Sequence, residues 1–127
     1  MPPETIIRST DAPLFGDDGT EIRGYASPSR GSAALSAWRL RLAPGAASPV
    51  HSLTHGEVFL ALEGSGRFEV AGRVHDVGAG DAICVPAGVA LRLANTAAEP
   101  FEAVCCMPAG GMGQIGDGEP FTPPWAA

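Results

Sequence analysis

Apolar and polar residues alternate one by one along much of this chain. That period belongs to strands with one buried face, not to helices. The clearest run is 34–42, where Trp38, Leu40 and Leu42 share one face and Arg39 and Arg41 the other. Phe68 and Val70 share a face within 67–70, and Val89, Leu91 and Leu93 alternate with Ala90, Arg92 and Ala94. Residues 5–8, 21–25, 73–77, 82–85 and 100–107 read as further short strands. Residues 57–62 break the rule, because after Glu57 no polar residue interrupts the run. A strand apolar on both sides is buried on both. One face points to the interior, and the second is expected against the N-terminal segment or a partner subunit.

Turn residues punctuate these runs. Gly16-Asp17-Asp18-Gly19, Pro44-Gly45, Gly64-Ser65-Gly66, Ala71-Gly72, Gly78-Ala79-Gly80 and Pro86-Ala87-Gly88 each separate two apolar runs. The 17 glycines and 12 prolines among 127 residues, spread in this way, suit an all-β barrel with little or no helix. At this length one core is expected. Residues 1–33 read as an N-terminal arm with edge strands, 34–107 as the barrel core, and 108–127 as a Gly/Pro-rich cover with Phe121 and Trp125 as apolar anchors. The tail holds Gly111-x-Gly113-x-x-Gly116, formally a dinucleotide fingerprint. Prolines follow where the phosphate-binding helix should begin, so no nucleotide site is expected.

Charge narrows the partners. The net charge is −6 with no basic cluster, which argues against nucleic acid and anionic membrane surfaces. No apolar run is long enough to span a bilayer, and the N-terminus lacks a signal-peptide pattern. Cys84, Cys105 and Cys106 are odd in number with an adjacent pair, unlike a secreted disulfide framework. They read as small buried hydrophobes. The expected setting is the cytoplasm.

The richest chemistry lies in Pro49–Gly66, PVHSLTHGEVFLALEGSG. Together with Gly45, this stretch resembles the first motif of the cupin family, G-x5-H-x-H-x3,4-E-x6-G, at Gly45, His51, Glu57 and Gly64. The second motif, G-x5-P-x-G-x2-H-x3-N, is matched at Gly80, Pro86, Gly88 and Asn95. In each motif one histidine is replaced by leucine, at Leu53 and at Leu91. The resemblance covers about 38–107 and implies a cupin-type double-stranded β-helix, that is, a jelly-roll barrel. It also implies that His51, Leu53, Glu57 and Leu91 stand where the family holds a metal.

Two donors rarely hold a divalent ion tightly, since catalytic zinc and non-haem iron sites use three protein ligands. Two leucines in the ligand positions favour an apolar pocket for a small organic ligand. His51 and Glu57 would be its polar fixtures and candidate acid–base pair, and Trp38, Leu53, Phe59, Phe68, Leu91 and Leu93 its walls. The cofactor expectation is therefore none, or a weakly bound divalent metal. The alternative is a metal-dependent enzyme of dioxygenase or isomerase type using His51, Glu57 and His55, with His75 a more distant candidate. A third reading is a structural homodimer whose barrel is a filled core.

Overall fold

The computed structural model describes residues 6–127. Its eleven strands are β1 (Leu14–Phe15), β2 (Thr20–Ala26), β3 (Leu35–Leu42), β4 (His51–Leu53), β5 (Glu57–Glu63), β6 (Ser65–Val70), β7 (Arg73–Gly78), β8 (Ala82–Val85), β9 (Leu91–Ala94), β10 (Phe101–Pro108) and β11 (Gly113–Ile115). Two single turns of 3-10 helix, Pro28–Arg30 and Pro124–Ala126, are the helical structure among the described residues. The strand expected over 5–8 lies partly outside the described residues, and 6–8 form no strand.

The strands form two antiparallel sheets, one ordered β1-β2-β3-β10-β5-β8 and the other β11-β4-β9-β6-β7. The sheets face one another as a jelly roll. Period-2 alternation decides which side chains lie between them. In β3, Ser36, Trp38, Leu40 and Leu42 are buried, while Arg39 and Arg41 point outward to pair with Glu102 and Glu21. In β10, Phe101, Ala103, Cys105 and Met107 are buried by the same alternation. At the centre, Phe68 meets Phe59 edge to face at 5.1 Å and Phe101 at 6.0 Å. Such pairs add to area burial because the positive ring edge meets the negative ring face.

The motif residues outside the ligand positions are architectural. Gly64 has φ +74, and a Cβ there would collide with the Pro100 carbonyl oxygen, so only glycine fits between β5 and the start of β10. Asn95 is buried and fully satisfied. Its amide donates to the carbonyls of Leu42 (3.0 Å) and Glu99 (2.8 Å), and its oxygen accepts from the Ala97 N–H (2.9 Å). It ties the end of β9 to β3 and to the loop before β10.

In two places the structure departs from the pattern. β5 is buried on one face, through Glu57, Phe59 and Ala61; its outer Val58, Leu60 and Leu62 remain 39%, 47% and 42% exposed. The N-terminal segment does not cover them, because β1 and β2 extend the sheet edge beyond β3 instead. The tail also makes a strand of its own, with β11 pairing β4 so that Gly113 faces Leu53 and Ile115 faces His51.

Candidate functional site

A cavity of about 430 Å³ opens between the two sheets at one end of the barrel. Its walls come from both sheets. β2 gives Thr20 and Ile22; β3 gives Trp38, Leu40 and Leu42; β5 gives Glu57 and Phe59; and β10 gives Cys105. The opposite sheet gives His51 and Leu53 from β4, Leu93 from β9 and Ile115 from β11. Phe121, Pro123 and Trp125 of the tail complete the rim, together with Asp17.

Inside the rim, Glu57 and His51 are the acid and the base of this mostly apolar enclosure, beside the hydroxyls of Thr20 and Ser48. Glu57 begins β5 with its side chain inward because Phe59 and Ala61 take the same face. It is 5% exposed, and its Oε1 has no hydrogen-bond partner. Burial alone pushes its carboxyl up from 4.5 to about 8, so the acid form holds its proton at neutral pH. His51 is partly exposed on β4, and its Nδ1 lies 2.9 Å from the Pro49 carbonyl oxygen. A carbonyl only accepts, so Nδ1 carries the hydrogen, and in the neutral ring Nε2 keeps its lone pair. The arrangement offers a proton donor at Glu57 and an acceptor at His51 within one cavity.

Cys105 shares the cavity and is fully buried. Burial pushes its thiol well above its ordinary value, and the Glu57 carboxylate adds to the shift. Such a thiol is a poor nucleophile and serves as wall. Its place followed from the alternation of β10, which puts every second residue from Phe101 inward.

Of the expected wall residues, Trp38, Leu53, Phe59 and Leu93 line the cavity. Phe68 and Leu91 do not. They are 0% and 1% exposed, behind the walls in the core. Sequence reading passed over Ile115 and Pro123 as walls, because the pairing of β11 with β4 has no local signal.

The family's metal chemistry can be tested against these donors. His51 and Glu57 reach the cavity, whereas Leu53 and Leu91 fill the other two ligand positions with hydrocarbon. His55 falls in the turn before β5, exposed, its Nδ1 at 2.9 Å from the Thr54 hydroxyl. His75 is exposed on β7. Among the described residues no three His, Cys, Asp or Glu side chains gather as a metal would require. Two donors fall short of the usual set.

The tail is fastened over the mouth. Trp125 packs on Trp38 (6.5 Å) and Phe15 (6.3 Å), and its carbonyl accepts from Arg30 at 2.6 Å. Ser36, buried on β3, donates to the Ala126 carbonyl at 2.8 Å. Phe121 exchanges two 2.8 Å backbone hydrogen bonds with Gly113 and lays its ring against that glycine.

Solved structures share this architecture. The polyketide cyclase RemF from Streptomyces resistomycificus is similar with a TM-score of 0.74 and 20% identity, over 85% of this chain and 81% of that one. A predicted oxalate decarboxylase from Thermotoga maritima has a TM-score of 0.71 and 21% identity, over 83% and 99%. Salicylate 1,2-dioxygenase from Pseudoaminobacter salicylatoxidans has a TM-score of 0.71 and 22% identity, over 84% of this chain but 31% of that longer one. At these identities the likeness is one of fold. No curated protein matches the sequence. The family model for the cupin domain matches residues 38–107, more than half of the chain, and with the jelly roll and both motifs in place the protein belongs to the cupin family.

Proposed function

We propose that this protein binds a small organic molecule in the cavity between its sheets, and that His51 and Glu57 act on that molecule as proton acceptor and donor. The observation that carries the reading is Glu57, a buried carboxyl with an unpartnered oxygen in a mostly apolar cavity. A buried polar group without a partner costs about 1–3 kcal/mol, and a ligand group that satisfies it recovers that cost. The cavity volume falls in the usual range for small-molecule sites. The related folds include a cyclase, a decarboxylase, a dioxygenase and an isomerase, so the family is compatible with turnover without selecting one reaction. The test is a fragment screen read by quenching of Trp38 and Trp125. Hits should weaken by roughly tenfold or more in His51→Ala and Glu57→Ala. Hits that bind both variants as tightly as wild type would move the site elsewhere.

A weakly held divalent ion is the second reading. The same unpartnered oxygen favours it, with His51 as the other donor and water completing the shell. Elemental analysis after metal resupply decides between them: near-stoichiometric metal that vanishes in His51→Ala supports the ion, and negligible metal in both proteins removes it.

We further propose a homodimer through the outer face of β5 and its neighbours, which Val58, Leu60 and Leu62 leave apolar and exposed. A reducing cytoplasm suits the three free thiols, one of them exposed.

A further inference from the structure

We infer that the cavity selects a neutral, hydroxyl-bearing aromatic molecule and rejects anions. The inference rests on the reading that the cavity is a binding site, and it adds the chemical class of the ligand. Three independent features carry it: the charges around the cavity, the character of its walls and the orphaned oxygen on its floor.

The cavity is bordered by the Asp17 carboxylate at the rim, by the protonated Glu57 carboxyl on the floor, and by one imidazole, His51. No arginine lines it among the described residues, and the chain contains no lysine. Five of the eight arginines are held elsewhere. Arg23 donates to the Ser9 and Ala12 carbonyls, and Arg30 to that of Trp125. Arg39 and Arg41 pair with Glu102 on the outer face, and Arg67 with Asp76. A carboxylate or phosphate entering the cavity would leave water without gaining a fixed counter-charge, and would pass the Asp17 carboxylate at the rim. Burying a charge in that way is strongly unfavourable.

The walls favour a flat ring. Trp38, Phe59, Phe121 and Trp125 surround the space, with Leu40, Leu42 and Leu93 between them. The Trp38 and Trp125 rings are tilted by 57° at 6.5 Å rather than stacked on each other. Aromatic ligands gain offset or edge contacts with such rings beyond the burial of their area. A saturated ligand of equal size gains only the area.

The floor asks for a donor. Glu57 Oε1 is buried without a partner, and a ligand O–H in this cavity donates to it. A phenolic hydroxyl also accepts, so the same group serves the other carboxyl oxygen when that one carries a proton.

The experiment is a matched set at neutral pH: 2-naphthol, 2-naphthoate and naphthalene, titrated into the protein and read by tryptophan quenching and calorimetry. 2-Naphthol should bind at least roughly tenfold more tightly than either of the others, the increment of one well-made buried hydrogen bond. Glu57→Leu keeps the side-chain bulk without an acceptor and should bring 2-naphthol down to the level of naphthalene. Glu57→Gln keeps an acceptor oxygen and should preserve most of the preference. Naphthoate binding as tightly as naphthol would overturn the exclusion of anions while leaving the cavity a binding site. Naphthalene equal to naphthol, or a preference untouched in Glu57→Leu, would overturn the role of the hydroxyl. No binding of any of the three at millimolar concentration to folded protein would overturn the cavity reading itself.

Discussion

Glu57 is the residue on which the site's chemistry turns, and its environment makes a prediction about stability. Its carboxyl titrates at about 8 in the folded chain against an ordinary 4.5, so between those values the folded state keeps a proton the unfolded state has released. Stability therefore falls as pH rises through that window, by up to about 1.4 kcal/mol per unit, and the contribution is intact below it. Glu57→Gln carries no such proton. Its urea midpoint should match wild type near pH 5 and exceed it near pH 8. A difference that stays constant across the window would mean that Glu57 is already charged in the fold. The leucines at the two ligand positions were informative from the sequence alone as hydrocarbon, but only Leu53 lines the cavity, with Leu91 behind it in the core. Gly56 after His55 already signals a turn before β5, so spacing along a strand did not fix which way its ring faces.

The strands show where sequence pattern works and where it stops. Alternation identified β3 and the inward set of β9, because their two faces meet different solvents. On β5, apolar residues on both sides predicted cover by the N-terminal segment or by a partner subunit, and the chain does not itself supply the first. Alternation was silent on β11, a three-residue strand whose partner β4 lies some sixty residues away. The tail's tryptophan was legible as an anchor, but what it anchors to required the fold. That contact can be tested. Trp125→Ala removes a partly buried ring from Trp38 and Phe15 and should cost about 2–3 kcal/mol, below the figure for a fully buried aromatic. Trp38 is then the sole tryptophan, and its emission should shift to the red as water reaches the cavity. Unshifted emission would mean that the mouth is closed by something other than Trp125.

At the scale of the molecule, the barrel packs its inner face around one cavity and leaves apolar side chains of β5 on its outer face. Monomeric proteins rarely leave several adjacent apolar side chains in water, which is the ground for the homodimer proposed through the strip on β5. Leu60→Arg puts a charge at the middle of that strip, where the side chain is outward and the fold does not need it. Light scattering should show a dimeric wild type and a monomeric variant that still unfolds cooperatively, at a melting temperature lowered by the lost association. A wild type that stays monomeric at high micromolar concentration rules the interface out.

The register of these strands carries a further consequence. Val58 on β5 faces Cys84 on β8 to one side and Cys106 on β10 to the other, so the three lie in one row across the outer face. With strands about 4.8 Å apart, the two cysteines sit about 10 Å from each other, too far to bridge within one chain. If two copies dock through this face as proposed, each row would lie near its mate, and a sulfur of one chain would have a sulfur of the other as its nearest candidate partner. Mild oxidation would then weld the dimer covalently, and the assembly would record its redox history in a band of doubled mass on a non-reducing gel.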